Sequence, residues 1–271
     1  MIVTKIFRVI HHYAHALEIR SILTLEYFRQ RKLKATYPKN LLRSIRRQPG
    51  HMEDYIQLSR FIDEGDHILL IDIGGNTGDW AQSFIGVFPN SDIVAFEPDS
   101  RAAAEYLKRF FGKANAVVHQ IALSNVAGIA ELRRATSSTY SSLEEYLHET
   151  KQMSEGLDKV QVQTATLDGA GIKTTGFDKV IVKLDVQGHE APVVEGGIEL
   201  LRKANIVIVE VSFAHEFVGQ EPSFSRVCAL LREAGLYPIV FQDHGRSLSP
   251  YPWERDVIFV REEQMRNIWG W

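Results

Sequence analysis

The chain has 271 residues, 45% of them hydrophobic, enough for one sizeable core or one domain with an extension. Its single cysteine, Cys228, excludes an internal disulfide and points to a reducing compartment, and no apolar run is long enough to cross a bilayer. The net charge of −3 is unevenly spread: residues 1–50 hold eleven Lys and Arg against Glu18 and Glu26, a balance of +9, so residues 51–271 carry −12.

Residues 1–50 read as one or two helices that end near Gln48-Pro49-Gly50. Ile2, Ile6, Val9, Ile10, Tyr13 and Leu17 recur at helical spacing, so an apolar face there must be buried. Charges interrupt the opening residues, which is unlike the apolar region of a signal peptide. The expected location is the cytoplasm. The basic excess is either a solvated face or a contact with a membrane surface, an anionic substrate or another subunit, a second copy included. Nucleic acid is not expected, because the rest of the chain is acidic and lacks an aromatic-basic platform. His11, His12 and His15 have no acid or cysteine beside them and make a poor metal site.

Residues 53–64 read as helical and lead into a strand at 67–73. A helix follows from Thr77 to about Val87, stopped by Pro89-Asn90. A second strand covers 92–96, a helix runs from Ser100 to Phe111, and a third strand is Val117–Leu123. Residues 127–132 and 160–164 read as an extra strand pair. Between them lies the polar, aperiodic Thr136–Leu143 stretch, which makes about 126–166 a lid-like insertion. Strands at 179–185 and 206–211 alternate with helices at 191–201 and 222–234, and two final strands fit 237–242 and 256–260. The pattern predicts an α/β, doubly wound, mostly parallel sheet with an antiparallel edge hairpin. Residues 1–50 form a helical extension to a main domain at 51–271.

The most informative stretch is Leu69-Leu70-Ile71-Asp72-Ile73-Gly74-Gly75-Asn76-Thr77-Gly78, an apolar run ending in an acid and a glycine turn. A second run, Ile93-Val94-Ala95-Phe96, ends in Glu97. Glycines permit close approach of backbone to a ligand, and a strand-terminal carboxylate can accept from both hydroxyls of a ribose. The turn fails the G-x-G-x-x-G spacing of dinucleotide sites, and Asp72 and Asp79 flank it, a poor setting for pyrophosphate. A ligand with an ammonium group and no phosphate suits it better, and S-adenosylmethionine is such a ligand. The bland alternative is a tight strand–helix connection alone.

Asp185 and Glu210 end neighbouring strands on one rim. They are the candidate pair for a divalent cation such as Mg²⁺, or Asp185 accepts a hydrogen bond from cofactor or acceptor. His189, just past Asp185, is the leading general-base candidate and His215 the second. Lys183 sits in an otherwise buried strand and should pair with a carboxylate, with Glu190 as the first choice. Tyr251-Pro252-Trp253-Glu254-Arg255 offers either an acceptor wall or loop packing.

Asp72–Gly78, Ala95-Phe96-Glu97-Pro98, Ala122-Leu123-Ser124, Ser141-Ser142-Leu143, Thr166-Leu167-Asp168 and Lys183–Glu190 occur in this order. The series resembles the FkbM family of S-adenosylmethionine-dependent methyltransferases over about residues 68–260. Gln187 stands where that family usually carries Glu. The resemblance implies a seven-stranded class I methyltransferase fold and methyl transfer, mostly to oxygen, on sugars, glycolipids, polysaccharides or related natural products. It implies that Asp72, Gly74, Gly75, Asn76 and Gly78 hold the methionine part, Glu97 and Pro98 the ribose, and Ala122, Leu123 and Ser124 the adenine side. Rival readings are a non-catalytic cofactor- or partner-binding module and an NAD(P)-dependent oxidoreductase.

Overall fold

The computed structural model describes residues 52–63, 65–112, 115–147, 158–241 and 254–269. The expected N-terminal helices, the His11-His12-His15 group and Tyr251–Trp253 lie outside the described residues. Among the described residues no helix is long and apolar enough to cross a membrane.

Helix α1 (Met52–Leu58) precedes β1 (Ile68–Ile73), α2 (Asp79–Val87), β2 (Ser91–Phe96), α3 (Ser100–Phe110) and β3 (Ala116–His119). Then come β4 (Ala122–Leu123), β5 (Gly128–Arg134) and β6 (Asp158–Ala165). Strand β7 (Lys179–Leu184) leads to the short helices α4 (Glu190–Glu195) and α5 (Ile198–Leu201), and β8 (Ile206–Ser212) to α6 (Ser223–Glu233). Strands β9 (Leu236–Phe241) and β10 (Glu254–Arg261) and helix α7 (Glu262–Trp269) complete the order.

The main sheet runs β3-β2-β1-β7-β8-β10-β9. The first five of these strands are parallel, and β10 is antiparallel to both β8 and β9. Strands β1 and β7 are apolar apart from Asp72, Lys179 and Lys183, because helices cover both faces of a parallel sheet. Every residue of β1 is buried. Helix α3 turns Ala102, Ala103, Tyr106 and Phe110 inward at helical spacing and leaves Arg101, Lys108 and Arg109 outside. Each fully buried aliphatic or aromatic side chain contributes roughly 1.5–3 kcal/mol to the fold. Cys228 packs partly buried against this core, and burial pushes its thiol up to about 11.

A second sheet, ordered β4-β6-β5, sits apart with its own small cluster of Ala122, Leu132 and Val162. It accounts for one difference from the expected elements. The single strand expected over Val117–Leu123 is two. The β2–β3 ladder ends where Phe96 pairs with His119 and the Glu97 N–H donates to the His119 carbonyl. Beyond it β2 has turned into the site, and the chain at Ala122 leaves to pair with Thr164 of β6.

The helix expected over 191–201 is also two. A Cβ on Gly196 would lie 2.2 Å from the Ser124 carbonyl oxygen, so the helix breaks at Gly196-Gly197 to admit that turn. Helix α2 starts at Asp79 rather than Thr77, because Gly78 before it is left-handed, φ 79°. Helix α7 has no counterpart in the expected elements.

Candidate active site

Parallel register builds the site. Ile73 pairs with Phe96 and with Leu184, and Leu184 pairs with Val209. The next residue of each strand end therefore stands in one row: Glu97, Gly74, Asp185, Glu210. Asp256 of β10 faces Glu210 across the antiparallel pair.

The turn after β1 is fixed by backbone. Gly74 and Gly75 N–H groups both donate to the Phe96 carbonyl. Gly74 is left-handed, φ 75°, and a Cβ there would lie 1.8 Å from the Asp185 carbonyl oxygen. Gly75 and Gly78 serve packing: a Cβ on either would meet the Tyr106 or Phe110 ring at 2.7 and 2.9 Å. Asp72 is turned beneath the turn, where it accepts from the Tyr106 hydroxyl at 2.9 Å. Burial raises its carboxyl to about 6.

Glu97 is only 7% exposed. One carboxylate oxygen accepts the Asn76 N–H and the other the Asp99 N–H, both at 2.8 Å. Each oxygen keeps a further lone pair, which is what two vicinal hydroxyls need. Burial lifts Glu97 to about 7, against the pull of those two N–H donors. Asp99 caps α3 through the Arg101 N–H, and the Arg101 guanidinium reaches on to the Ala135 carbonyl, where β5 gives way to the insertion.

The insertion is fastened to both turns. The Ser138 hydroxyl donates to Asn76 Oδ1 at 2.6 Å. The Ser142 hydroxyl donates to the Gln187 carbonyl at 2.5 Å, and the Tyr146 hydroxyl to Gln187 Oε1 at 3.0 Å. Among the described residues, Asn76 and Gln187 are the non-glycine residues held at positive φ, 48° and 53°. Farther on, Tyr146 bridges to Phe217 in the loop after β8.

After β7, Lys183 Nζ lies 3.3 Å from Asp185 Oδ2 and 3.1 Å from Asp256 Oδ1. Its partners are thus Asp185 and Asp256 rather than the expected Glu190, whose carboxylate instead accepts the Val186 and Gly188 N–H groups. Burial works against the Lys183 ammonium, but Asp185, Asp256 and Glu210 outweigh it and hold the proton more firmly than usual. Burial and then Asp185 raise Glu210 well above the ordinary carboxyl range. Gln187 Nε2 donates to Asp185 Oδ1 at 2.9 Å and to Glu210 Oε2 at 2.8 Å. His189 is held at both nitrogens, Nε2 at 2.9 Å from the Ser124 hydroxyl and Nδ1 at 2.6 Å from Glu144 Oε1.

These elements enclose a pocket of about 680 Å³, its open mouth included. Gly74, Asn76, Glu97, Pro98, Ala122, Leu123, Asp185 and His189 line it, with Ser138, Thr139, Ser141, Ser142 and Leu143 of the insertion. Asp72, Gly75, Gly78 and Ser124 stand behind this lining. Glu210, half-buried, does not line the pocket and lies on the far side of the Gln187 amide from Asp185. His215 is exposed on the loop after β8, 3.2 Å from the Gln220 carbonyl, and does not line the pocket. The expected Asp185–Glu210 cation pair does not fit: the Gln187 amide occupies the space between the carboxylates. Among the described residues no group of three or more His, Cys, Asp or Glu converges as a ligand set.

Sequence reasoning missed Tyr106, Asp99, Glu144, Tyr146 and the central place of Gln187. Tyr106 was signalled only by the inward period of α3, and Asp99 by its position before a helix. Tyr146 carried no local signal, because its partners come from β7 and the loop after β8.

The strand order, the antiparallel β10 and the pocket at the carboxyl ends of the parallel strands define a class I methyltransferase. The chain belongs to the FkbM methyltransferase family: the pattern of the Methyltransferase FkbM domain matches residues 72–236. It is 26% identical over 188 residues to the 2-O-methyltransferase NoeI of Sinorhizobium fredii, a match covering 66% of this chain and 76% of that one. Among solved structures it is similar to a SAM dependent methyltransferase from Aquifex aeolicus, at 11% identity and TM-score 0.42, over 81% of this chain and 97% of that one. It is also similar to precorrin-6y C5,15-methyltransferase from Geobacter metallireducens, at 10% identity and TM-score 0.40, over 76% and 86% of the two chains.

Proposed function

We propose that this methyltransferase takes its methyl group from S-adenosylmethionine and passes it to a hydroxyl of a sugar or a related polyhydroxylated natural product. The observation that carries the reading is Glu97: a buried carboxylate at the end of β2, pinned by two backbone N–H groups, with free lone pairs on the pocket. The pocket lining fits the cofactor in its chemistry. Glu97 would take the ribose hydroxyls, the Gly74–Asn76 turn the amino-acid part, and Pro98, Ala122 and Leu123 the apolar purine. Bound there, S-adenosylmethionine would supply an electrophilic methyl on a sulfonium.

Asp185 is the proton acceptor. Lys183 and Gln187 each donate to one of its oxygens, which keeps it aimed, and each oxygen retains a lone pair for an acceptor hydroxyl. His189 is less free. Glu144 only accepts, so Nδ1 carries the proton and Nε2 takes the Ser124 hydroxyl, leaving no unshared lone pair in the ring plane. Its role is to seat the insertion against the Ser124 turn. The serine and threonine hydroxyls of the insertion provide polar partners for an acceptor, and exclude water once seated. The oxygen specificity draws support from the 2-O-methyltransferase relative.

The test is calorimetric titration with S-adenosylhomocysteine and, in parallel, NADH, followed by transfer of labelled methyl to a panel of methyl pyranosides. Micromolar binding of the first ligand alone, with label in a pyranoside, is the expected result. Binding of NADH alone would overturn the cofactor assignment. Cofactor binding without label in any hydroxylated acceptor would overturn the O-methylation.

A further inference from the structure

Gln187 is held in the left-handed region, at a cost of roughly 1–2 kcal/mol for a residue with a Cβ. That conformation turns both its carbonyl and its side chain into the site. The amide presents Nε2 to Asp185 Oδ1 and Glu210 Oε2, and Oε1 to the Tyr146 hydroxyl. Turned over, the amide would point Oε1 at Asp185 and Glu210 and lose the two N–H bonds that bridge them. An ionised carboxylate here would offer neither neighbour a donor. The amide's two N–H groups instead bridge the pair.

The partners come from different parts of the fold. Asp185 ends β7 and Glu210 lies in β8, both rigid and central. Ser142 and Tyr146 belong to the insertion that walls the pocket. One residue thus joins the wall to the carboxylate beneath it.

We propose that Gln187 is a positioning residue for methyl transfer: it aims Asp185 at the acceptor hydroxyl, and it does so only while Tyr146 and Ser142 are seated. The inference rests on Asp185 as the proton acceptor. With Tyr146 in place its hydroxyl fixes Oε1, and this fixes Nε2 on Asp185 Oδ1. With the insertion lifted, the amide loses that constraint and Asp185 keeps only Lys183.

Two single variants test it, Gln187→Leu and Tyr146→Phe, the second keeping the ring against Phe217 and so the fold. Each should lower kcat by about 100-fold, with KM and S-adenosylhomocysteine affinity changed by less than about threefold, as misaimed groups do. Gln187→Leu added to Asp185→Asn should cost nothing beyond Asp185→Asn alone, because the first acts through the second. Amide exchange of residues 141–147 should rise in both single variants while β1, β7 and β8 stay protected. Unchanged exchange there, or losses that multiply in the Asp185→Asn background, would overturn the proposal. Wild-type turnover in Asp185→Asn alone would instead remove the proton-acceptor assignment, and the exchange measurement would still report whether Gln187 and Tyr146 are joined.

Discussion

Gly74 and Asp185 touch backbone to backbone: a single methyl on Gly74 would sit 1.8 Å from the Asp185 carbonyl oxygen. The turn that carries Gly74 and the turn that carries Asp185 are thus one packed unit. The Asp185 N–H, donating to the Ile73 carbonyl at 3.0 Å, locks them from the other side.

Gly74→Ala should therefore fail twice, by overlap with backbone and by forcing an alanine to φ 75°. Overpacking and the left-handed strain together should cost about 2–5 kcal/mol of stability. Loss of S-adenosylhomocysteine binding and a lower melting temperature are expected. A wild-type melting curve would show that the two turns yield.

Glu97 sets a pH dependence whose sign is fixed by its raised carboxyl. In the fold it holds a proton up to about pH 7, and in the unfolded chain only to about 4.5. Between those values the native state binds more protons, so its contribution to stability is full below about 4.5 and is lost as pH rises to 7, a swing of about 3 kcal/mol. Buried Asp72 and Glu190 act in the same direction. Denaturation of the ligand-free protein across this range should show stability falling with pH, and Glu97→Gln should flatten the slope. Cofactor affinity should move oppositely, rising as Glu97 ionises, and that rise should vanish in Glu97→Gln.

Asp185→Asn should lower kcat by about 10²–10⁴-fold, the contribution of a positioned base, while leaving S-adenosylhomocysteine affinity nearly unchanged. His189→Gln should show the reverse balance, with faster cofactor release and a modest loss in kcat, because Glu144 then loses its charged hold on the Ser124 turn. Steady-state kinetics and stopped-flow release measure both. A larger kcat loss in the histidine variant would exchange their roles.

Millimolar EDTA should leave turnover unaltered, and added Mg²⁺ should not raise it, because the Gln187 amide fills the gap between Asp185 and Glu210. Inactivation by chelator with recovery on Mg²⁺ would mean that Gln187 swings out to admit the ion.

The parts of the site that were legible in the sequence are those built from consecutive residues. Strand, glycine turn and terminal acid at 69–78 and 93–97 announce themselves because a parallel strand buried on both faces reads as one apolar run. Asp185 beside Glu210 followed from strand order alone. What stayed hidden depends on residues far apart in the chain. Lys183 called for a carboxylate, with Glu190 the first choice, and only the insertion of β10 beside β8 brings Asp256 to it. The break after His119 was concealed because Ala122 and Leu123 continue the apolar pattern while serving a different sheet. Gln187 was visible only as a departure from the family pattern; its role needs Tyr146 from the insertion and Glu210 from β8.

The placing of β10 between β8 and β9 has a consequence for how the chain reaches its fold. Leu236–Phe241 is made before the strand it must pair with, and β8 likewise has an open edge until residues 254–261 arrive. During synthesis, the half of the sheet that holds Asp185 and Glu210 thus carries two unpaired strand margins, the kind of surface that invites association between nascent chains. Arrival of β10 closes both at once, delivers Asp256 to Lys183, and carries the Arg261 guanidinium onto the carbonyls of Leu201, Ala204 and Ala234. The row of strand ends at Asp185 and Glu210 is thus complete only once the last strand of the chain is in place.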